Sequence, residues 1–189
     1  MGKKEDDGSL KVIEEYTEKI VKNPNNIDYY IDRGDIYFSI RELEKALEDY
    51  SKVIELSSYS NSTKGRYYRD RGYTYYCLKE YKKAIEDFSK AIELEPTDRD
   101  YHNNRGNAYY YFKEYEKAIE DYSKAIEHYS IETDLFPLRI DYYIDRGDAY
   151  YCLKEYEKAI KDYSCALEFK SICEEVEDLE KIISGHLDS

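Results

Sequence analysis

The sequence predicts an all-α solenoid of stacked helix hairpins, and three observations carry that expectation. One phrase recurs with small changes: YFSIRELEKALEDYSKVIE from Tyr37, YYCLKEYKKAIEDFSKAIE from Tyr75, YYYFKEYEKAIEDYSKAIE from Tyr109 and YYCLKEYEKAIKDYSCALE from Tyr150. An Arg-Gly pair heads each copy, and Gly34, Gly72, Gly106 and Gly147 stand 38, 34 and 41 residues apart, a basic period of 34 disturbed twice. Within each copy two helical patterns follow one another. Tyr30, Arg33, Gly34 and Tyr37 fall on one face of a first helix, and Leu43, Ala46, Leu47, Tyr50 and Ile54 on one face of a second.

Residues 1–8 are expected to form a flexible tail. The stretch VIEEYTEKIVKNP (Val12 to Pro24) aligns with AIEDFSKAIELEP (Ala84 to Pro96), so residues 9–26 read as half a repeat, a second helix without its first. Four whole repeats follow, at about 27–60, 65–98, 99–132 and 140–173. A polar insertion, SSYSNSTKGR (57–66), and a more apolar one, HYSIETDLFPLR (128–139), stretch the period. At the far end SICEEVEDLEKIISG places Ile172, Val176, Leu179 and Ile183 on one face. Ser171 with Glu174 would form a capping box and Gly185 a stop, so 174–189 is expected to be a capping helix and tail that covers the last repeat.

Four glycines inside helices, each costing about 1 kcal/mol against alanine, argue for close helix packing that compensates. The pairings expected are Gly34 with Ala46, Gly72 with Ala84, Gly106 with Ala118 and Gly147 with Ala159. Arg33, Arg71, Arg105 and Arg146 recur beside the glycines, while Asp49, Asp87, Asp121 and Asp162 recur in the second helices. A bidentate ion pair joining the two helices of each hairpin is the expectation. The columns Tyr37/Tyr75/Tyr109/Tyr150 and Tyr50/Phe88/Tyr122/Tyr163 are expected in the core, with hydroxyls reaching an edge.

The period, the hairpin pattern and the residues Gly106, Tyr109, Ala118, Tyr122 and Pro96 resemble the tetratricopeptide repeat, over about 27–173. The resemblance implies a right-handed α-solenoid whose first helices line a concave face. Two departures are regular or local: arginine stands where the family usually has leucine before the small residue, and His102 replaces a tyrosine. Residues one step round from the packing stripe would then line a partner-binding groove. They are Ile31, Asp32, Asp35 and Phe38; Arg69, Asp70, Tyr73 and Tyr76; Asn103, Asn104, Asn107 and Tyr110; and Ile144, Asp145, Asp148 and Tyr151. Relatives that grip heat-shock chaperone tails clamp a carboxylate with Lys, Asn and Arg at such places. Here Asn107 and Arg69 are accompanied by Asp35 and Asp148, so a carboxylate clamp is not expected.

Composition limits the function classes. Asp and Glu number 42 against 29 Lys and Arg, and a net charge of −13 repels nucleic acid while suiting a basic peptide or protein surface. Cys77, Cys152, Cys165 and Cys173 lack C-x-x-C spacing, which points to reduced thiols and a cytoplasmic setting. No apolar run approaches membrane-spanning length, so no membrane partner is expected. His102, His128 and His186 form no zinc pair, and no nucleophile, phosphate-loop or calcium-loop motif occurs. The expectation is a non-enzyme without cofactor or metal, an adaptor that binds another protein or peptide in its groove. Two alternatives accompany it: self-assembly as a homodimer through the N-terminal half repeat, and a sensor of a peptide or small ligand. Concentration-dependent light scattering would reveal the first, and a ligand-induced rise in melting temperature the second.

Overall fold

A computed structural model describes residues 7–57, 61–128 and 136–170 of the chain. Eight helices are bounded: α1 (Asp7–Lys22), α2 (Ile27–Ser39), α3 (Leu43–Leu56), α4 (Asn61–Cys77), α5 (Tyr81–Leu94), α6 (Arg99–Tyr111), α7 (Tyr115–Glu127) and α8 (Phe136–Cys152). A ninth, α9, covers residues 156–170. The helices pack pairwise as helix-turn-helix repeats, α2 on α3, α4 on α5 and α6 on α7. The expected capping helix, its box residues and Cys173 lie outside the described residues.

The chain divides into two compact units, Met1–Pro96 and Thr97–Ser189. In the first, α1 packs on α2, and α3 packs on α4 as well as α2. Tyr30, Val53 and Tyr67 form its buried core, with Ile20, Ile27, Ile31, Ile54 and Leu56 against them. In the second, Ala118, Tyr122 and Ala149 are the buried centre where α7 meets α8.

The turns between first and second helices share one geometry, and that geometry explains the recurrent spacing. The amide of Glu42 donates to the carbonyl of Tyr37 at 2.9 Å, and Glu80, Glu114 and Glu155 repeat the bond to Tyr75, Tyr109 and Tyr150. A second bond runs from the preceding residue, as from Arg41 to Phe38 at 3.1 Å. This is the Schellman pattern, which demands a left-handed residue at the turn. Arg41, Lys79, Lys113 and Lys154 occupy that place at φ 69, 61, 66 and 63°. Part of each insertion is helical: α4 and α8 are 17 residues long where α2 and α6 are 13.

The predicted Arg–Asp pair is present in all four hairpins. Arg33, Arg71, Arg105 and Arg146 each donate Nε and Nη2 to the two carboxylate oxygens of Asp49, Asp87, Asp121 and Asp162, at 2.7–2.8 Å. Arg33 also reaches back to the preceding second helix, to Thr17 at 2.9 Å, as Arg71 does to Ser51 at 3.1 Å and Arg146 to Ser123 at 3.0 Å. Each such guanidinium therefore ties three helices, and α1 is held through Thr17 as α3 and α7 are through Ser51 and Ser123.

Two packing expectations need correction. The atoms nearest each repeat glycine belong to the second-helix aromatic, in places joined by the adjacent aspartate, and not to the alanine. A Cβ on Gly106 would lie 2.7 Å from the Tyr122 ring, and one on Gly147 2.6 Å from that of Tyr163. The glycine is required because a flat ring lies across the first-helix backbone. The column Tyr37/Tyr75/Tyr109/Tyr150 is half-buried, not core. Its rings lie under a lysine at 5.2–5.4 Å, from Lys45, Lys83, Lys117 and Lys158. Arg33, Arg71 and Arg105 sit 5.8–6.0 Å from the same rings in the first three repeats. Cations over the face of a half-buried tyrosine give a packed aromatic at a wet surface.

Candidate functional site

In the first unit, α2 and α4 carry eight of the groove candidates. Ile31 turns partly into the core and Asp32 is exposed. Asp32 raises the pKa of Tyr16. Asp35 is exposed, and its Oδ1 accepts the Tyr50 hydroxyl at 2.7 Å. Burial first and this bond second push the Tyr50 phenol far up. Asp70 receives Arg69 Nη2 at 2.7 Å and Nε at 2.9 Å, with Arg66 at 3.7 Å. Its pKa is nonetheless raised, because burial outweighs those cations and Asp35 adds to it. Phe38, Tyr73 and Tyr76 complete the set. The Phe38 and Tyr73 centroids are 5.8 Å apart, Tyr73 stacks on Tyr76 at 5.9 Å, and Tyr76 meets Tyr81 edge-on at 5.8 Å.

In the second unit, α6 and α8 carry the remaining eight. Asn107 Oδ1 accepts the Tyr122 hydroxyl at 2.8 Å, and Asp148 Oδ1 that of Tyr163 at 2.7 Å. Asn103 and Asn104 are half-buried, and the enclosed Oδ1 of Asn103 has no hydrogen-bond partner. Ile144 and Tyr151 are 39% and 60% exposed, and Tyr151 packs edge-on to Tyr156 at 5.5 Å. Tyr110 lies 5.5 Å from Tyr115, and its hydroxyl is 3.6 Å from the Cys152 sulfur. On the same helix, α8, Asp145 is pushed up to about 6 by burial, then by the charges of Asp141 and Asp148.

The three oxygens that receive second-helix tyrosine hydroxyls come from one column, Asp35, Asn107 and Asp148. Residues read as groove polar groups therefore also satisfy second-helix phenols, two of them, Tyr50 and Tyr122, on buried residues. The fourth member is Tyr73, and opposite it the second-helix aromatic is Phe88, which has no hydroxyl to satisfy. That covariation among the repeats was the available signal for the pairs. A second signal is the ring five residues on: Tyr81, Tyr115 and Tyr156 each brace the candidate aromatic across the turn. The aromatic column thus has a packing role as well as an exposed edge.

The description "tetratricopeptide repeat" matches residues 27–59 and 100–130, and "TPR repeat" matches 72–111. The chain is a tetratricopeptide repeat protein. Among solved structures, a crystal structure of MamA is similar over 86% of this chain and 89% of its own, at 26% identity and TM-score 0.76. YrrB, described as "a TPR protein with an unusual peptide-binding site", is similar over 87% of this chain and 81% of its own, at 17% identity and TM-score 0.70. The second TPR of Spaghetti, bound to an HSP90 peptide, covers 58% of this chain and 94% of its own, at 24% identity and TM-score 0.52. No curated protein sequence matches at a significant level.

In this tetratricopeptide repeat protein no group of three His, Cys, Asp or Glu is placed to hold a metal among the described residues. No described helix is long and apolar enough to cross a membrane. The arginine that departs from the usual leucine is accounted for: it carries the carboxylate of its own hairpin. His102, the other departure, is buried, with Nδ1 3.3 Å from Asp121 Oδ1 and its ring 5.6 Å from that of His128. It supplements Arg105 on the same carboxylate.

Proposed function

We propose that this protein is a non-catalytic interaction module that holds a peptide or a partner's segment against the outward faces of its first helices. The observation that carries the reading is the exposed aromatic edge beside carboxylates on those helices: Tyr73 at 45% with Asp35 and Asp70, and Tyr151 at 60% with Asp145 and Asp148. Rigid aromatics supply contact area at low entropic cost, and the acids favour a basic partner. The proteins of like fold whose descriptions mention peptides are consistent with such a use of the scaffold. Affinity capture from extract, comparing the native protein with Tyr76→Ala/Tyr110→Ala/Tyr151→Ala, tests the reading. Loss of a captured protein from the variant, at unchanged helicity, supports it. Equal capture by both removes the first-helix faces from consideration.

A second reading rests on α1, where Leu10, Val12 and Val21 are 41%, 37% and 78% exposed. These side chains would suit pairing with a second copy. Light scattering across concentrations, repeated with Val21→Glu, decides it: a reversible dimer lost in the variant supports pairing, and a monomer throughout rejects it.

A further inference from the structure

The aromatic candidates of the first unit are not scattered. Phe38 from α2, Tyr73 and Tyr76 from α4 and Tyr81 from α5 form one continuous ridge, with successive centroids 5.8, 5.9 and 5.8 Å apart. Tyr73 is 45% exposed, and the other three are half-buried. One helical turn before Phe38 stands Asp35, and one turn before Tyr73 stands Asp70. Asp70 pairs with Arg69, whereas the hydrogen bond that Asp35 accepts comes from the Tyr50 phenol.

Resting on the interaction reading above, we propose that this ridge takes a proline-rich segment in the polyproline II conformation, with an adjacent Arg or Lys directed to Asp35. Three arguments select that occupant. A β-strand needs an open sheet edge to pair its backbone, and the described residues contain no strand. A helix lays aliphatic anchors into a groove, whereas this surface is a row of flat rings. Polyproline II is preformed and presents flat apolar proline rings, which lie well against flat aromatic rings. The exposed Asp35 carboxylate adds the charge complement for a flanking cation.

Fluorescence anisotropy on the full chain tests this with a labelled polyproline peptide flanked by arginines and a control carrying the same arginines on a Gly-Ser backbone. The polyproline peptide should bind the tighter of the two. Tyr73→Ala/Tyr76→Ala should weaken it roughly tenfold or more. Asp35→Asn keeps the acceptor for Tyr50 and should flatten the salt dependence of binding. Ring-carbon NMR of the unsubstituted protein gives a readout independent of variant folding: the peptide should shift Tyr73 and Tyr76 and leave Tyr16 unmoved. Equal binding of both peptides overturns the proline requirement while leaving the interaction reading intact. No binding of the polyproline peptide, or shifts elsewhere than on the ridge, overturns the proposal itself, and the extract capture then judges the wider reading separately.

Discussion

Arg105, Asp121 and His102 show how one residue can hold a hairpin closed. Burial alone would raise Asp121, but the bonds from Arg105 and His102 outweigh it and hold the carboxyl below its usual range. Its stabilisation is therefore present above the unfolded pKa and lost as pH falls through the lowered folded value. Truncating Asp121 to Ala strands a guanidinium and should cost about 3–5 kcal/mol, read from the urea midpoint. Asp145 has the opposite sign. Its folded pKa lies near 6, so the charged form destabilises the fold, and stability is lost as pH rises through that value. Asp145→Asn should stabilise by about 1–3 kcal/mol above that pH and by little in acid, a difference that melting curves at two pH values would show. Gly106→Ala meets the Tyr122 ring, so despite the better helix propensity of alanine it should cost about 1–3 kcal/mol.

At the scale of the element, the turn between helices is the repeated unit of construction. Four Schellman turns place Arg41, Lys79, Lys113 and Lys154 in the left-handed region, where glycine is the unstrained choice. Lys113→Gly should raise stability by about 0.5–1 kcal/mol, the relief of strain exceeding the added freedom of the unfolded chain. An unchanged or lower midpoint would show that the lysine contributes more than its backbone costs. The turn also explains why the helices end alike. Glu42, Glu80, Glu114 and Glu155 close the turn through backbone amides and pair with Lys45, Lys83, Lys117 and Lys158, whose ammonium groups cover the tyrosine rings.

Over the whole molecule the charge balance sets the response to salt. A net charge of −13 brings self-repulsion that short-range pairs do not remove. The bidentate Arg–Asp pairs are buried and resist screening, whereas the repulsion is long-ranged. The melting temperature should therefore rise from low to physiological ionic strength, and a fall would mean that exposed ion pairs dominate. A basic ligand should associate more slowly over the same change, since steering by the acidic surface is screened.

The repeat period, the number of hairpins and the Arg–Asp pairing were legible in the sequence, because each is a recurrence and local helical geometry converts recurrence into place. The candidate aromatic column was legible as a column. What it could not convey was how the rings meet, since Tyr73 joins the ridge only because α2 and α4 bring Phe38 beside it. Likewise, periodicity placed Gly106 on a packing face but could not say whether Ala118 or the Tyr122 ring would lie over it. The double duty of Asp35, Asn107 and Asp148 was written as covariation with the second-helix aromatic, yet only the bonds at 2.7–2.8 Å reveal it. The sequence by itself determined which residues share a helix face. The tertiary structure decided which faces meet and which rings and carboxylates come together, because burial and distance between helices depend on packing that no single helix specifies.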